Sequence, residues 1–184
     1  MKKSIKFLVI LSAILGLGVA NLSAHPLDAK TAVGIYGMST TETNNASAYG
    51  LELQQWFTPK LAVTVLGSAF YQDNEWYSRP FNANVSLQLT YSLIESQFGN
   101  HFGSRFFAYA LGGYSGYGEN VKSNDAKAEN KIVYSHNALV SLGFGFEFLM
   151  FDHLSIPLTF GFAGEFPNDP AAGFCLGAGV RYAF

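Results

Sequence analysis

The chain is poor in charged side chains, in cysteine and in long apolar segments. Charged residues make up 13% of its 184 residues, whereas soluble domains usually have about 25%. The one cysteine, Cys175, excludes an intrachain disulfide. Beyond residue 19, polar residues or glycines interrupt every apolar run, and a membrane-spanning helix needs about 20 apolar residues in succession. A disulfide-stapled domain and a polytopic helical membrane protein are therefore excluded.

The one long apolar run lies at the amino terminus. Three lysines precede the apolar residues 7–19, and the small residues Ala20 and Ala24 follow. This order is typical of a secretory signal peptide, and the run is shorter than a membrane span of about 20 residues. We predict a cleaved signal peptide over residues 1–24 and a single domain over residues 25–184.

The remaining chain is apolar, although it has no further candidate for a membrane helix. Aromatic residues reach 16% of the sequence, and there are 19 glycines. In a transmembrane β-barrel the lipid-facing apolar residues occupy every second position rather than a continuous run. Such a barrel explains how an exported chain can be both apolar and free of long apolar segments.

Alternation with a period of two recurs along the whole mature chain. It is clearest at residues 84–93, where Val, Leu and Tyr alternate with Asn, Ser, Gln and Thr, and it returns at residues 173–184. Tight turns are expected near Pro59 and at residues 150–153, and polar loops at residues 39–47, 73–82 and 118–131. Residues 96–104 are predicted to form a longer connection. The pattern predicts an all-β fold, a transmembrane antiparallel up-and-down β-barrel of about eight strands.

A soluble lipocalin-like barrel would show the same alternation with its apolar face inside. Its outer face would carry many Lys and Glu, but the polar faces here hold mainly Ser, Thr, Asn, Gln, Gly and Ala. We therefore expect the apolar faces to meet lipid and the small side chains to fill a narrow lumen. Aromatic belts are expected at the two strand ends, one formed by Trp56, Phe57, Tyr91, Phe148, Phe151, Tyr182 and Phe184, the other by Tyr49, Tyr71, Tyr114, Tyr134 and Phe166.

The signal peptide, the alternating strands and the terminal Val180-Arg181-Tyr182-Ala183-Phe184 together resemble a known group. They are similar to the small outer-membrane β-barrel proteins, which include the OmpA membrane domain, OmpX, OmpW and the opacity proteins. The resemblance implies the outer membrane of a diderm bacterium, contact with outer-membrane lipid and lipopolysaccharide, and recognition of Tyr182 and Phe184 by the barrel-assembly machinery.

A few charged side chains fall on the predicted inward faces. An unpaired charge in a packed interior costs several kcal/mol, so these side chains should pair. We predict a polar network in the lumen and favour a structural plug over a proton or ion path. Its predicted members are Glu52, Glu147, Glu165 and Arg181.

No catalytic, metal or cofactor site is predicted. Ser135 and His136 are the nearest approach to a catalytic dyad, but neighbouring strand residues point to opposite faces. His101 and His153 lie in connections at the other end. An enzyme that modifies lipid A is therefore the less favoured hypothesis.

The loops offer the remaining candidate contacts. Charges at residues 118–131 cancel, which excludes a basic patch for nucleic acid. Trp76, Tyr77 and Phe81 are candidate contacts for an extracellular ligand, with anchoring at the membrane interface as the competing explanation. The favoured function is a non-enzymatic barrel with an envelope-structural or surface-interaction role. The alternative is a narrow pore or a barrel that transports small hydrophobic molecules.

The orientation of the apolar faces predicts how the mature chain behaves in solution. Residues 25–184, refolded after expression without the leader, should stay monodisperse in size-exclusion chromatography only in detergent, because the apolar faces lie outside. A monomer that stays dissolved without detergent would support the lipocalin-like arrangement instead.

Overall fold

The computed structural model describes residues 31–41, 47–73, 78–121, 131–167 and 171–184. The predicted signal peptide lies outside these ranges. The described residues form eight strands, which are β1 (Thr31–Thr40), β2 (Ser47–Thr58), β3 (Leu61–Asp73), β4 (Ser78–Gln97), β5 (Phe102–Val121), β6 (Lys131–Met150), β7 (Leu154–Pro167) and β8 (Ala171–Ala183).

Each strand pairs antiparallel with the next, and β8 pairs with β1 to close the barrel. The closing ladder runs from Ala32 opposite Ala183 to Thr40 opposite Cys175. Every strand therefore has a ladder partner on both sides, and the prediction of an eight-stranded up-and-down barrel is confirmed.

The described part of the chain includes no helix of the length and apolarity needed to cross a membrane.

Three short turns lie at one end of the barrel, which we call the turn end. They comprise residues 59–60, 98–101 and 151–153. The prediction of a long connection at residues 96–104 was wrong. The β4–β5 ladder continues past a bulge at Leu93 to the pair Ser96 and Ser104, so these polar residues belong to strands.

At the opposite end, the loop end, the strands reach further than the apolar pattern predicted. The expected loops at 73–82 and 118–131 shrink to the segments between Asp73 and Ser78 and between Val121 and Lys131. Polar residues extend these ladders, and hydrophobic alternation cannot detect them. Phe81 was therefore wrongly assigned to a loop, because it lies in β4 opposite Gly118. Trp76 and Tyr77 lie outside the described residues.

The outer face of the barrel is apolar. Leu51 and Phe162 each expose 70% of their surface, and large apolar side chains are exposed on all eight strands. Water-soluble proteins do not present so continuous an apolar surface, whereas a transmembrane barrel requires one. The lipocalin-like alternative, with apolar side chains inside and a charged exterior, is excluded.

The middle of the lumen is also apolar, which the sequence pattern did not predict. From Phe107 to Leu111 on β5 the large side chains point inward, and their small neighbours Ala108 and Ala110 point outward. Glycines on the strands opposite provide the space: a Cβ at Gly161 would lie 2.9 Å from the Tyr109 hydroxyl, and one at Gly145 would overlap the Phe107 ring. This central apolar cluster comprises Leu66, Phe107, Tyr109, Leu111 and Leu139, with Tyr36 and Met38 packed against it.

Trp56 was predicted to lie in the aromatic belt, and the structure places it in the lumen instead. Its exposed fraction is 8%, whereas that of Phe57 is 66%. Trp56 continues the inward series of Glu52 and Gln54, so Phe57 is the outward residue, and the ladder shifts register only after Trp56. Inside, the Trp56 ring lies under the guanidinium of Arg105, 3.9 Å from its carbon, and the indole Nε1 donates to Gln54.

Tryptophan fluorescence in lipid tests this placement. In a Trp76→Phe variant, Trp56 is the remaining tryptophan, and bilayer lipids with brominated acyl chains should quench it weakly. A matched Trp56→Phe/Phe57→Trp/Trp76→Phe variant moves the fluorophore by one residue to the lipid-facing side and should be quenched strongly. Equal quenching in the two variants would contradict the inward position of Trp56.

Candidate functional site

A network of ion pairs fills the lumen near the turn end, and Arg181 on β8 is at its centre. Its Nη2 donates to Glu52 Oε2 on β2 at 2.8 Å, and its Nη1 donates to Glu147 Oε1 on β6 at 3.1 Å. Glycines on β1 and β8 leave room for these side chains. A Cβ at Gly34 would lie 2.8 Å from Arg181 Cγ, and one at Gly179 would lie 2.8 Å from Glu52 Oε1.

Glu147 joins Arg181 to a second arginine. Arg105 lies directly opposite Glu147 in the β5–β6 ladder, and its Nη1 donates to Glu147 Oε2 at 2.8 Å. The hydroxyl of Ser155 on β7 donates to Glu147 Oε1 at 2.5 Å. Both carboxylate oxygens of Glu147 are therefore hydrogen-bonded, which a buried carboxylate requires.

The network ends at Glu95 on β4. The bulge at Leu93 changes which residues of β4 face inward, so Glu95 lies opposite Arg105. Arg105 Nε donates to Glu95 Oε1 at 3.0 Å, and the Ser92 hydroxyl donates to the same oxygen at 2.7 Å. The Glu95 side chain is 30% exposed, so this end of the network touches water.

The four deeply buried charges balance. Glu52 and Glu147 carry two negative charges, and Arg105 and Arg181 carry two positive charges, all with side chains at most 4% exposed. Alternating signs let each charge face its opposite, which offsets the desolvation of the buried groups. The five charged side chains tie together β2, β4, β5, β6 and β8 across the lumen.

The structure brings together Glu52, Glu147 and Arg181, three of the four side chains expected in the lumen network. Glu165 has to be corrected: it is buried in the lumen but lies ten positions beyond Ser155 on β7, about 33 Å away along the strand. Alternation predicts that a residue faces inward, but it does not predict the height of that residue along the barrel axis. The register of β7 with its neighbours places Glu165 far from the network.

Sequence reasoning missed Arg105 and Glu95. Arg105 shares the inward face of Phe107 and Tyr109, and that face was not recognised as the lumen side because it is the apolar one. Glu95 was hidden by the bulge at Leu93, because strict alternation from Ser92 would turn it toward lipid.

One cavity of about 40 Å³ lies between the ion pairs and the central apolar cluster, enough for roughly three water molecules. Solvated ions need a continuous path, and in the described part of the barrel the side chains occupy the lumen on both sides of this cavity.

The three histidines of the described residues are His136 on the outer face and His101 and His153 at the turn end. His136 is exposed on the outer face, hydrogen-bonded to the Tyr114 hydroxyl, and Ser135 is on the opposite face of the strand. His101 Nδ1 contacts Asp152 at 2.9 Å on the turn end, and His153 Nδ1 contacts the Ala183 carbonyl at 2.9 Å. Within the described ranges, no group of three or more His, Cys, Asp or Glu side chains is placed to hold a metal ion.

Tyr182 and Phe184, predicted to serve as the assembly signal, lie at the turn end. Tyr182 is half exposed on the outer face, and its ring stacks on His153 with centroids 5.2 Å apart. The Phe184 ring meets Tyr182 edge to face at 5.0 Å, and the Phe184 backbone N donates to the Thr31 carbonyl at 2.8 Å.

Comparison with solved structures shows the same architecture elsewhere. The N-terminal β-barrel domain of Pseudomonas aeruginosa OprF matches with a TM-score of 0.51 and 14% sequence identity, over 84% of this chain and 100% of that one. Outer membrane protein H (OprH) of P. aeruginosa, solved in DHPC micelles, matches with a TM-score of 0.57 and 14% identity, over 85% and 100%. No protein-family model matches the chain, and no curated protein matches it significantly. The likeness shows the fold, and it confirms the resemblance to small outer-membrane barrels.

Removing the central arginine should destabilise the barrel. Arg181→Met leaves Glu52 and half of Glu147 without a cation, and breaking a buried pair in this way costs about 3–5 kcal/mol. Urea unfolding in lipid vesicles measures this loss. A Lys60→Met control, at an exposed turn residue, should change the free energy of unfolding by less than about 0.5 kcal/mol. An unchanged unfolding midpoint in Arg181→Met would show that the ion pairs of Arg181 do not stabilise the barrel.

Proposed function

We propose that the protein is a non-enzymatic outer-membrane β-barrel with a plugged lumen and an envelope-structural or surface-interaction role. The observation that carries this proposal is the ion-pair network, which links five of the eight strands across the lumen. The continuous apolar exterior and the architecture shared with outer membrane protein H support the location.

The location in the outer membrane of a diderm bacterium agrees with the predicted signal peptide at residues 1–24. The apolar exterior fits contact with acyl chains of outer-membrane lipid and lipopolysaccharide. Tyr182 and Phe184 are proposed as the residues that the barrel-assembly machinery reads. Tyr182 projects from the last strand to the outside, where a partner can reach it.

The energetics of the network supports a plugged lumen. An ion that crosses the lumen must separate Arg181 or Arg105 from its carboxylates, and each such separation leaves a buried charge unpaired at a cost of about 3–5 kcal/mol. The central apolar cluster adds a second barrier, because an ion that passes it loses most of its water ligands to apolar side chains. The lumen is therefore proposed to act as a structural core rather than as a pore.

An interaction with an extracellular ligand is proposed for the loop end. Trp76 and Tyr77 remain the candidate contacts there, and Phe81 at the adjoining end of β4 is the third. Trp and Tyr are enriched among the residues that dominate binding energies, which favours this assignment.

Conductance in planar lipid bilayers distinguishes a plugged barrel from a pore. The refolded mature chain should insert without steady single-channel steps. A matched Arg105→Ala/Glu147→Ala variant, which removes the middle of the network while preserving its charge balance, should conduct more often. Steady steps from the unmodified chain would contradict the plug and favour the transport alternative.

The non-enzymatic assignment has its own test in cells. Lipid A extracted from cells that express the protein should have the same mass spectrum as lipid A from cells with an empty vector. A new lipid A species that depends on expression would contradict the assignment.

A further inference from the structure

We infer that the outer face of the barrel near the turn end binds the glycerol-ester region of a glycerophospholipid, with Ser96 and Ser104 as the hydrogen-bond donors. The inference rests on the proposed outer-membrane location, because the short turns of such barrels face the periplasm and the membrane leaflet on that side supplies the lipid. It goes beyond general contact with lipid, since it assigns one lipid class to one site.

Two serine hydroxyl groups face the membrane side by side. Ser96 and Ser104 lie directly opposite each other in the β4–β5 ladder. Their neighbours Glu95 and Arg105 pair inside the barrel, so both serines face outward. Residues opposite each other in this way have Cβ atoms about 4.5–5.5 Å apart, which lets both hydroxyl groups reach one ligand. A hydroxyl group that faces lipid costs free energy unless it has a hydrogen-bond partner.

A surface pocket of about 290 Å³ contains this serine pair. Its other lining residues are Ile94, Phe106 and Phe146, which form the next ladder row towards the middle of the membrane. The Phe106 ring stacks on Phe144 with centroids 5.7 Å apart, which turns it towards β6 and away from β4. The pocket is therefore polar on the side of the turn end and apolar on the side of the hydrocarbon.

Aromatic side chains lie on the other side of the serine pair. Phe98, Phe102 and Phe151 are exposed at the turn end, and the rings of Phe102 and Phe151 meet edge to face with centroids 5.4 Å apart. Aromatic girdles of transmembrane barrels lie at the membrane interface. The two hydroxyl groups lie just inside this girdle, at the level where a glycerophospholipid has its ester groups.

A diacyl glycerophospholipid has its groups in the same order as this surface. Its ester carbonyl oxygens are hydrogen-bond acceptors, and serine hydroxyl groups can donate to them. Its acyl chains would contact the apolar side of the pocket, and its headgroup would lie beside the aromatic girdle. The five residues that line the pocket are uncharged, so the site favours a neutral carbonyl oxygen over a phosphate group.

Small side chains continue the pocket along β5. Ala108 and Ala110 face outward there, and Ala110 lies between Leu89 on β4 and Leu142 on β6. From Ser104 to Ala110 the strand rises about 20 Å, which at a tilt of about 40° is about 15 Å along the membrane normal. This is half of a hydrocarbon layer of about 30 Å. The groove therefore has the length of an acyl chain in one leaflet.

Native mass spectrometry of the refolded mature chain tests the site directly. The chain is released from detergent micelles that contain equal amounts of dipalmitoyl phosphatidylethanolamine and its dihexadecyl ether analogue, which lacks the ester carbonyls. The two lipids differ in mass, so each is counted separately. The unmodified barrel should retain the ester lipid about five times more often than the ether lipid, because two hydrogen bonds are lost with the ether. Equal retention would overturn the inference.

Substitutions at the serine pair assign the preference to this site. Ser96→Ala/Ser104→Ala should retain the two lipids equally. Ser96→Thr/Ser104→Thr, which keeps both hydroxyl groups, should restore most of the preference for the ester lipid. Electrophoresis of unheated and heated samples verifies that both variants fold. A preference that survives in the alanine variant would contradict the role of these serines.

A larger side chain in the groove gives an independent readout. Ala110→Leu should lower the retention of both lipids severalfold, because the added atoms occupy the path of the acyl chain. Ala138→Leu is the matched control, since Ala138 is exposed on the outer face of β6 beyond the groove, and it should not change the retention. Equal retention in the two variants would overturn the groove as the site of the acyl chain.

The outcomes separate this inference from the proposed function. A barrel that neither conducts nor distinguishes ester from ether lipid retains its proposed plug and loses the lipid site. Steady conductance, together with an ester preference that depends on Ser96 and Ser104, would overturn the plug and support the lipid site.

Discussion

The absence of water from the hydrocarbon layer is the constraint on which this structure depends. Each backbone N–H and C=O within that layer must find its partner inside the protein, because lipid offers none. Eight antiparallel strands meet this demand only when the first and last strands pair, as the ladder from Ala32–Ala183 to Thr40–Cys175 shows. Closure in turn divides the side chains into two sets, one facing lipid and one confined to the lumen.

The side chains inside the closed barrel share a limited volume. An eight-stranded barrel has an interior just wide enough for side chains to fill, so each large residue needs a small one across from it. Phe107 has Gly145 opposite, Tyr109 has Gly161, and Arg181 has Gly34. The same crowding explains why the charges form pairs: Arg105 and Arg181 are buried, so carboxylates replace most of the water that would otherwise solvate their guanidinium groups.

The sequence predicted those features that depend on period-two alternation alone. The number of strands and the inward position of Glu52, Glu147 and Arg181 follow from it, and turn residues such as Pro59 predicted the tight turns. Alternation cannot show which face of a strand is inside when the inner face is itself apolar, as it is on β5 from Phe107 to Leu111. Trp56 was placed in the aromatic belt because it is aromatic and lies at a strand end, although alternation with Glu52 and Gln54 turns it inward.

Register and bulges account for the rest of what could not be predicted. The bulge at Leu93 brings Glu95 to Arg105, and no local pattern marks it. Glu165 faces inward as expected, but the height that separates it from Arg181 depends on how all eight strands pair. Polar ends of strands at Ser78 and Lys131 resemble loops, because ladder hydrogen bonds do not require apolar side chains.

The central claim is that every second side chain of each strand faces hydrocarbon while its neighbours face a filled lumen. A nitroxide scan along β6 tests it most directly, with single cysteines introduced at positions 138–148 of a Cys175→Ser background in lipid vesicles. Collision rates with oxygen, which partitions into hydrocarbon, should peak at the even positions such as Leu142 and Phe144 and fall at the odd positions. Maxima at the odd positions, or no period of two, would contradict the account.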